Sequence, residues 1–515
     1  MKLEKVIIFF VFILLSNIII AQPNEKCRNN VLIPTYHWSY EYLEQLRVRG
    51  YLRDLNFSVR PFWAGAVNLE LNKLTARKDS QKRQIDVSTL ILVERLQRSF
   101  HSLNSNDSSK ARLKTQLFIG NDLYSESSNE KWVDHFIPRA RIGFQFGRNL
   151  AVQNTILTSN RIDENPEYLG KLQSGLASYT EEAYLVYRVS HFNFLLGRSF
   201  LRWGPGHTGT LLLSDYARPL DQFSVDFFYK WLRFSFVTAS LNTMSDSTVA
   251  NRYFSAHRLD LTLSKNLRFG ISEAVLYGGP NTSVQFPFHN PVIFLHGIIL
   301  NGPTHGNSLG SIDFSYYPIR NLHFYGEILI DDIQLEKSSP VDLEPTEWGL
   351  QLGIQFSKAG LFLQSEYVRI ANRTYNTVEF WERYTHRNDP IGYYSGNDFD
   401  HFYLRGNYWL KPCFRVQAKF QHIRQGEGRV NIPFDSPWLD LPPGQEYSEP
   451  FPTGVVEQTQ RVQLELRWHP LRIGYGEIIL GYEQIKNVDN RIGENLQNWY
   501  YSLKLWLELG KGWIL

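Results

Sequence analysis

Cysteine, methionine and an excess of charge of either sign are nearly missing from this sequence of 515 residues. Its two cysteines, Cys27 and Cys413, are too few for a disulfide-stabilised scaffold, and they either form one bridge or both stay free. The 54 Lys and Arg residues almost balance the 51 Asp and Glu residues, leaving a formal net charge of +3. This balance predicts no polyanionic partner and argues against nucleic acid binding.

Long apolar runs are also missing, except at the N-terminus. There a run from Val6 to Ile20 follows two lysines and precedes Ala21 and a polar stretch. A basic start, a short apolar stretch and a small residue are typical of a secretory signal peptide. We therefore predict a signal peptide over residues 1–21, cleaved after Ala21. A retained membrane anchor is the less favoured alternative, because the run is short for a spanning helix.

Aromatic residues, in contrast, are abundant: the chain has 28 Tyr, 34 Phe and 13 Trp. With no spanning helix after the N-terminus, this composition fits either a soluble all-β protein or a transmembrane β-barrel with aromatic girdles. The choice between the two depends on the lengths and faces of the strands.

Residues 22–110 are predicted to form a small N-terminal periplasmic helical segment without catalytic chemistry. Ser39 is a suitable N-cap, Trp38 and Leu43 can staple the first turn, and Gly50 can end the helix. A second amphipathic helix is indicated by apolar residues at helical spacing, namely Leu92, Val93, Leu96, Phe100 and Leu103.

From about residue 111 the period of the apolar residues changes to two. In QTQRVQLELRW one face carries Val462, Leu464, Leu466 and Trp468, and the other carries Arg461, Gln463, Glu465 and Arg467. Many segments of this kind are about nine to twelve residues long, enough to cross a bilayer when tilted. Charges at consecutive inward positions suit a wet lumen, so the membrane barrel is favoured over the soluble fold.

The predicted fold class is therefore all-β: a transmembrane antiparallel β-barrel of about 18 strands over residues 111–515, with the small α-helical periplasmic part before it. Strands are predicted to begin near residues 111, 138, 151, 182, 191, 222, 232, 256, 267, 308, 321, 346, 360, 400, 413, 458, 474 and 498. Short turns such as PIRN and HPLRI alternate with long loops at 278–307, 371–399 and 425–457. A barrel of this width encloses a channel unless the helices or long loops plug it.

Two stretches imitate enzyme motifs. Gly204, Gly206 and Gly209 match the dinucleotide pattern G-x-G-x-x-G, but no parallel strand and helix flank them. A tight turn is the better interpretation, with Pro205 presetting φ and Gly206 taking a positive φ. The stretch GNSLG at 306–310 matches a nucleophile elbow around Ser308, with His305 nearby, yet a strand follows where a helix is required. We predict no catalytic residue, no cofactor and no metal site, and hence no enzyme.

Three further stretches carry a family resemblance: LRWGPGHTGTLLLSDYARP, ILIDDIQ and HWSYEYLEQLRVRGYL. Together they resemble the Wzi-type capsule assembly proteins of the Gram-negative outer membrane, in order from about residue 35 to 470. Residues matching the family motifs are given a structural role, namely Gly204, Pro205, Gly206, Ser214, Asp331 and Asp332. The two aspartates are adjacent on a strand and so are expected to face opposite sides.

The resemblance implies a non-enzymatic, lectin-like outer-membrane protein that binds and helps assemble or anchor capsular polysaccharide or exopolysaccharide. Its expected partners are that polysaccharide and outer-membrane lipid, and the barrel is expected to be monomeric. Candidate polysaccharide-binding residues are Arg202, Trp203, Tyr375, Trp381, Tyr384, Tyr393 and Tyr394. For Arg202 and Trp203, shaping the turn is the favoured role. The alternative function is a porin-like diffusion channel for saccharides.

Overall fold

The computed structural model describes residues 31–76, 85–101, 111–127, 131–147, 149–162, 168, 170–245, 248–301, 305–333, 343–442, 445, 447–470 and 474–514. The predicted signal peptide, Cys27, Leu103 and the end of the HPLRI turn lie outside these residues.

The fold is a closed antiparallel barrel of eighteen strands. Its strands are β1 Arg112–Glu126, β2 Trp132–Phe146, β3 Leu150–Ser159, β4 Ala177–Val189, β5 Phe192–Ser199, β6 Leu220–Tyr229, β7 Leu232–Ser240, β8 Val249–Thr262, β9 Leu267–Pro280, β10 Asn307–Tyr316, β11 Leu322–Asp332, β12 Glu347–Lys358, β13 Leu361–Ile370, β14 Phe399–Lys411, β15 Phe414–Gln425, β16 Glu457–Trp468, β17 Gly474–Lys486 and β18 Asn495–Ile514. Each strand pairs with the next along the chain, and β18 pairs with β1 from Arg112↔Ile514 to Glu126↔Tyr500. The predicted fold class is confirmed.

The alternation predicted from QTQRVQLELRW is also confirmed. On β16 the outward side chains of Val462 and Leu464 are about half exposed. Glu465, the next residue along the strand, points into the lumen and is buried. On this strand apolar residues therefore cover the outside of the wall and polar residues the inside, as a bilayer requires.

Most predicted strand starts lie within two residues of the observed ones, but β2, β4, β8 and β18 begin earlier than predicted. On β8 the reason is visible. Phe254 and Ala256 point into the lumen, where they join a buried apolar cluster. The outward positions of the same stretch include the polar residues Asn251, Ser255 and His257, so the usual contrast between an apolar outer face and a polar inner face is lost over the first half of the strand.

The two ends of the barrel differ. At one end, here called the turn end, strands are joined by two to five residues, as at 190–191, 263–266, 317–321 and 359–360. At the other, the loop end, the connections are longer, as at 160–176, 200–219, 281–306, 371–398 and 426–456. The predicted asymmetry is confirmed.

In the part of the N-terminal region that the structure describes, three helices precede the barrel: α1 Ser39–Val48, α2 Ala64–Thr75 and α3 Val87–His101. They close the turn end, where Arg47 donates to the carbonyl of Lys265 and Asn321 donates to that of Val48. Leu92, Val93, Leu96 and Phe100 are buried as predicted.

The observed start of α1 differs from the predicted start, whereas its end agrees with the prediction. Trp38 is the capping residue, in helical backbone geometry and without a side-chain cap, so Ser39 is the first helical residue and its hydroxyl bonds His37 instead. Gly50 follows the helix with φ +86°, as its predicted role demands. Across the described ranges, no helix has both the length and the apolar character that a transmembrane helix needs.

Candidate functional site

Residues 202–214, here called the plug segment, run inside the barrel. Arg202 and Trp203 pair antiparallel with Arg60 and Val59, which connect α1 to α2. The three leucines 211–213 are fully buried in a cluster that includes inward side chains of the wall. The WGPG motif therefore joins the helical part to a plug in the lumen.

The glycines of the motif are required by close contacts, although not in the way the sequence predicted. Gly204, and not Gly206, has the positive φ, at +124°. Gly206 is needed for space, because an added Cβ would lie 2.1 Å from the carbonyl oxygen of Gly209 and 2.2 Å from the Gln351 amide. The expected type II turn with Gly206 at positive φ is thus wrong, and the expected backbone role of the glycines stands.

Two buried carboxylates hold the plug segment from the wall. Glu327 on β11 accepts hydrogen bonds from the backbone N–H groups of Leu211 at 3.0 Å and Leu212 at 3.1 Å. Glu366 on β13 accepts from the N–H groups of His207 at 2.7 Å and Thr208 at 2.9 Å. Hydrogen bonds from N–H groups to a carboxylate are among the stronger ones. The wall therefore fixes the backbone of the plug at two points.

Three of the candidate polysaccharide-binding tyrosines hold the same segment from the loop side. Tyr375 donates to the carbonyl of Leu211, Tyr384 donates to that of Leu212, and Tyr393 donates to the Thr208 hydroxyl at 2.7 Å. All three side chains are 0% exposed, and burial raises their pKa well above its usual value. This placement corrects the prediction: as they stand, the three tyrosines present no surface to a sugar and pack the plug.

Arg202 and Trp203 are likewise internal. The Arg202 guanidinium bonds the carbonyls of Gly206 and His207 and lies 3.2 Å from Asp215. The Trp203 ring is buried in the apolar cluster of the plug. Both contacts agree with the favoured role of these residues in shaping the turn.

The remaining family-motif residues also serve this region. Ser214 ends the plug segment, its N–H donating to Ile391 at 2.8 Å. Asp331 is a bulged residue between Ile330 and Asp332, and its carboxylate accepts the N–H of Tyr375. The bulge interrupts the simple alternation on which the opposite-face expectation for Asp331 and Asp332 rested.

Helix α1 closes the lumen below the plug through one carboxylate. Glu41 lies 2.9 Å from Arg467 and 3.3 Å from Arg405, and it also pairs with the fully buried Arg415. Burial by itself would raise the pKa of Glu41, but the guanidiniums of Arg415, Arg467 and Arg405 hold it well below its usual range. This glutamate therefore stays ionised and ties the helix to three strands.

Four glutamates on the wall strands, Glu181, Glu182, Glu465 and Glu477, are residues that would line a wet lumen and pair there with cations. Each does pair with a cation, Arg139, Arg141, Lys419 and Arg467 respectively. All four carboxylates are nonetheless buried, because the helices and the plug segment cover this part of the wall. We call the plug segment, α1 and the wall that they cover the closed part of the lumen.

Another stretch of the lumenal wall is not covered. On β18, Lys504 lies between the outward Leu503 and Leu505 and so faces the lumen, yet its side chain is 41% exposed. Its partner Asp122 on β1, 3.3 Å away, is 27% exposed. This uncovered wall, here called the open part, also includes Arg461, Gln463, Lys419, Glu483, Tyr124 and Tyr500. Lumenal charges that keep this exposure border water.

The last two candidates, Tyr394 and Trp381, are half-buried at the loop end. The Tyr394 ring stacks on Tyr393 with centroids 4.7 Å apart and touches the exposed Tyr216 at 5.8 Å. Burial raises the pKa of the Tyr394 hydroxyl, while the Arg461 guanidinium acts in the opposite sense. Tyr394 therefore borders the open part, whereas Trp381 lies near Gly279, above β9.

The enzyme-like motifs gain no support from the fold. Ser308 belongs to β10, a continuous strand, and its hydroxyl bonds Nδ1 of His296 at 2.6 Å on the outer wall. The strand-turn-helix geometry of a nucleophile elbow is not formed there. Among the described residues, no three His, Cys, Asp or Glu side chains converge as metal ligands would.

Residues 115–498 match the family model described as capsule assembly protein Wzi. The chain belongs to this Wzi family. The predicted family is thereby confirmed, and family and fold together indicate the outer membrane.

A solved structure of the family agrees on the fold. Wzi of Escherichia coli, described as an outer membrane protein involved in group 1 capsule assembly and a carbohydrate-binding β-barrel, aligns with a TM-score of 0.60 at 14% identity, over 92% of this chain and 99% of that one. Pseudomonas aeruginosa OprD aligns over 77% and 95% with a TM-score of 0.44 at 10% identity. Acinetobacter baumannii OccAB4 aligns over 80% and 100% with a TM-score of 0.45 at 8% identity. The search of curated proteins finds no match.

Sequence reasoning missed the two carboxylates that hold the plug, Glu327 and Glu366, and the exposed charges of the open part other than Arg461. A signal exists for Glu327, which stands before the apolar run ILI in GEILI, but not for Glu366, whose neighbours in QSEYV include the polar Gln364 and Ser365. Nothing in the sequence distinguishes a covered lumenal charge from an uncovered one, since that depends on where the plug lies.

Proposed function

We propose that this protein is a monomeric, non-enzymatic barrel that binds capsular polysaccharide or exopolysaccharide and helps to anchor or assemble it at the cell surface. The turn end with its helices then faces the periplasm, and the loop end faces outward. The described carbohydrate binding of the Escherichia coli relative supports this proposal.

The observation that carries the proposal is the open part of the lumen. Lys504, Asp122 and Arg461 keep exposed charged groups on a wall that the plug leaves uncovered, and Arg461 lies within electrostatic reach of the Tyr394 hydroxyl. Sugars are recognised by polar groups that bond their hydroxyls and by aromatic rings that pack on their apolar faces. A blocked lumen with an uncovered polar wall can hold a chain at the surface without conducting it.

The test combines Arg461→Gln with Lys504→Gln and, separately, replaces Tyr394 by alanine. Each variant is compared with the parent in a strain lacking the gene, and cell-bound and released polysaccharide are measured separately. We expect polysaccharide to shift from the cells to the medium with total synthesis unchanged. The matched control is Arg98→Gln with Lys265→Gln, which removes two positive charges at the turn end.

Equal amounts of folded barrel, read from its heat-modifiable band on a gel, must be present in all strains. Unchanged retention in both open-part variants would refute this site. Deleting the gene could abolish retention while these variants leave it unchanged. That result would place binding elsewhere on the loop end, and Trp381 would be the next residue to replace.

The alternative, a diffusion channel, requires a water path past α1 and the plug segment. Glu41, Glu327 and Glu366 all bind groups across that path. We therefore expect no stable open conductance from the wild-type barrel in a planar bilayer. A large steady conductance would favour the channel over the anchor.

A further inference from the structure

Part of the loop between β9 and β10, including residues 288–296, folds back over the outside of the wall. Its residues Phe288 and Leu295 pack on Val275 and Tyr277 of β9, with the Tyr277 and Phe288 rings 4.3 Å apart. Val275 and Tyr277 face outward, because the alternate residues Ala274 and Leu276 belong to the cluster inside the lumen.

Beneath this loop the outer wall is polar. Glu273 on β9 lies 2.8 Å from Nε2 of His257 on β8, and both side chains point away from the lumen. Two more outward polar residues lie on the flanking strands: Ser308 on β10, opposite Val275, and Thr238 on β7, opposite Ser255. Such groups are unfavourable against lipid, and the cost of an outward charge is greatest near the midplane of the bilayer.

The loop supplies partners for these wall groups. Helix α4, Leu295–Asn301, begins directly over Glu273, whose carboxylate accepts the N–H groups of Leu295 and His296. The ring of His296 bonds Ser308 at 2.6 Å, and His289 bonds Thr238 at 2.9 Å. The polar patch is therefore satisfied by the loop and shielded from what lies outside.

The outer surface of the same loop is apolar. Phe286 and Val292 are each 82% exposed, and three more large apolar side chains are also exposed, namely Val284, Phe294 and Leu300. Few soluble surfaces carry so much contiguous apolar area without a partner. Directly below it, the paired outward residues Ile271 and Ile312 belong to the apolar belt of the barrel.

We propose that residues 284–300 are embedded in the outer leaflet of the membrane, with their exposed apolar side chains in contact with lipid acyl chains. The continuity with the barrel belt at Ile271 and Ile312 identifies lipid as the occupant. The loop thus acts as an apolar cover over a polar section of the wall and widens the membrane-contacting surface on one side, as an interfacial helix does.

The test places an environment-sensitive fluorophore on single cysteines in the full chain, with Cys27 and Cys413 replaced by serine. The labelled variants are Phe294→Cys, Ile312→Cys as the lipid-belt control, and Val378→Cys as the water control, since Val378 is 80% exposed on another loop. Each is folded into phosphatidylcholine vesicles with or without lipids that are spin-labelled high on the acyl chain.

We expect the Phe294 label to show the blue-shifted emission of the Ile312 label, to be quenched by the spin-labelled lipid and to resist aqueous iodide. Emission and iodide quenching like those of the Val378 label would overturn the proposal. So would protection from both quenchers together with a cross-linked dimer, because the occupant would then be a second copy of the chain. Comparable heat-modifiable bands for the three labelled proteins establish that each has folded.

Discussion

The closed and open parts of the lumen both carry ion pairs between inward side chains of the wall, but these pairs differ in their exposure to water. In the closed part Arg258 and Asp313 pair with 1% and 2% of their side chains exposed, whereas Lys504 and Asp122 in the open part pair with 41% and 27% exposed. Both pairs join inward residues of the wall: Arg258 on β8 reaches across β9 to Asp313 on β10, and Lys504 on β18 pairs with Asp122 on the neighbouring β1. What differs is the chain that lies over them.

This difference assigns the two parts different energetic roles. Removing one partner of a buried pair leaves an uncompensated charge and is strongly destabilising, whereas exposed pairs contribute about 0–1 kcal/mol. Changes in the closed part should therefore act on stability and on closure of the lumen. Changes in the open part should act on binding and leave the barrel intact.

The largest expected effect is that of Glu41→Ala, which leaves Arg405, Arg415 and Arg467 without their shared carboxylate. We expect a loss of about 3–5 kcal/mol in the free energy of unfolding, measured by urea titration of the folded barrel in detergent. The control is Glu94→Ala, which breaks an exposed pair with Arg98 on α3. A Glu41→Ala barrel as stable as its control would show that α1 is not held by this cluster.

The second prediction concerns closure itself. Gly206→Ala places a Cβ against the backbone of Gly209 and the Gln351 amide, so the plug segment must move. Overpacking of this kind is expected to destabilise by about 1–3 kcal/mol. Because movement of the plug segment opens the lumen, we also expect a new conductance in planar bilayers and a greater uptake of large antibiotics by cells.

The matched control for that change is Gly310→Ala on β10, where an added Cβ would meet nothing within 4 Å. If neither alanine variant conducts, the plug tolerates displacement. The conclusion that the glycines of the WGPG motif keep the lumen closed would then be wrong.

The sequence predicts the barrel well because a bilayer imposes alternation on every strand. It predicts less where the lumen is filled, as on β8, since Phe254 and Ala256 there contact the plug and remove the contrast between faces. The binding candidates show the same limit. Tyr384 and Tyr394 look alike in the sequence, yet one is buried against a carbonyl of the plug and the other borders the open part.

The acid dependence of stability gives a smaller effect that also tests the closed part. Because the pKa of Glu41 in the folded barrel lies below its usual value of 4.5, folding favours the ionised carboxyl. Its stabilisation is therefore complete above about pH 4.5 and is lost as the pH falls below that value.

Glu41→Gln, which keeps the size of the side chain, should be less stable than the parent at neutral pH and should approach the parent as the pH falls. Urea midpoints measured from neutral to acidic pH give this difference directly. A constant difference at all pH values would mean that the charge of Glu41 is not what holds α1.

The smallest effects separate two tyrosines that the sequence treats alike. Tyr384→Phe removes one buried hydrogen bond to Leu212, so we expect a loss of about 1 kcal/mol in stability and unchanged retention of polysaccharide. Tyr394→Phe keeps the ring at the edge of the open part and removes only its hydroxyl, so we expect unchanged stability and a modest fall in retention. We would measure urea unfolding and cell-bound polysaccharide for both variants, so that each variant has one value for stability and one for retention. If the stability loss falls on Tyr394 and the retention loss on Tyr384, the assignment of structure to the closed part and binding to the open part is reversed.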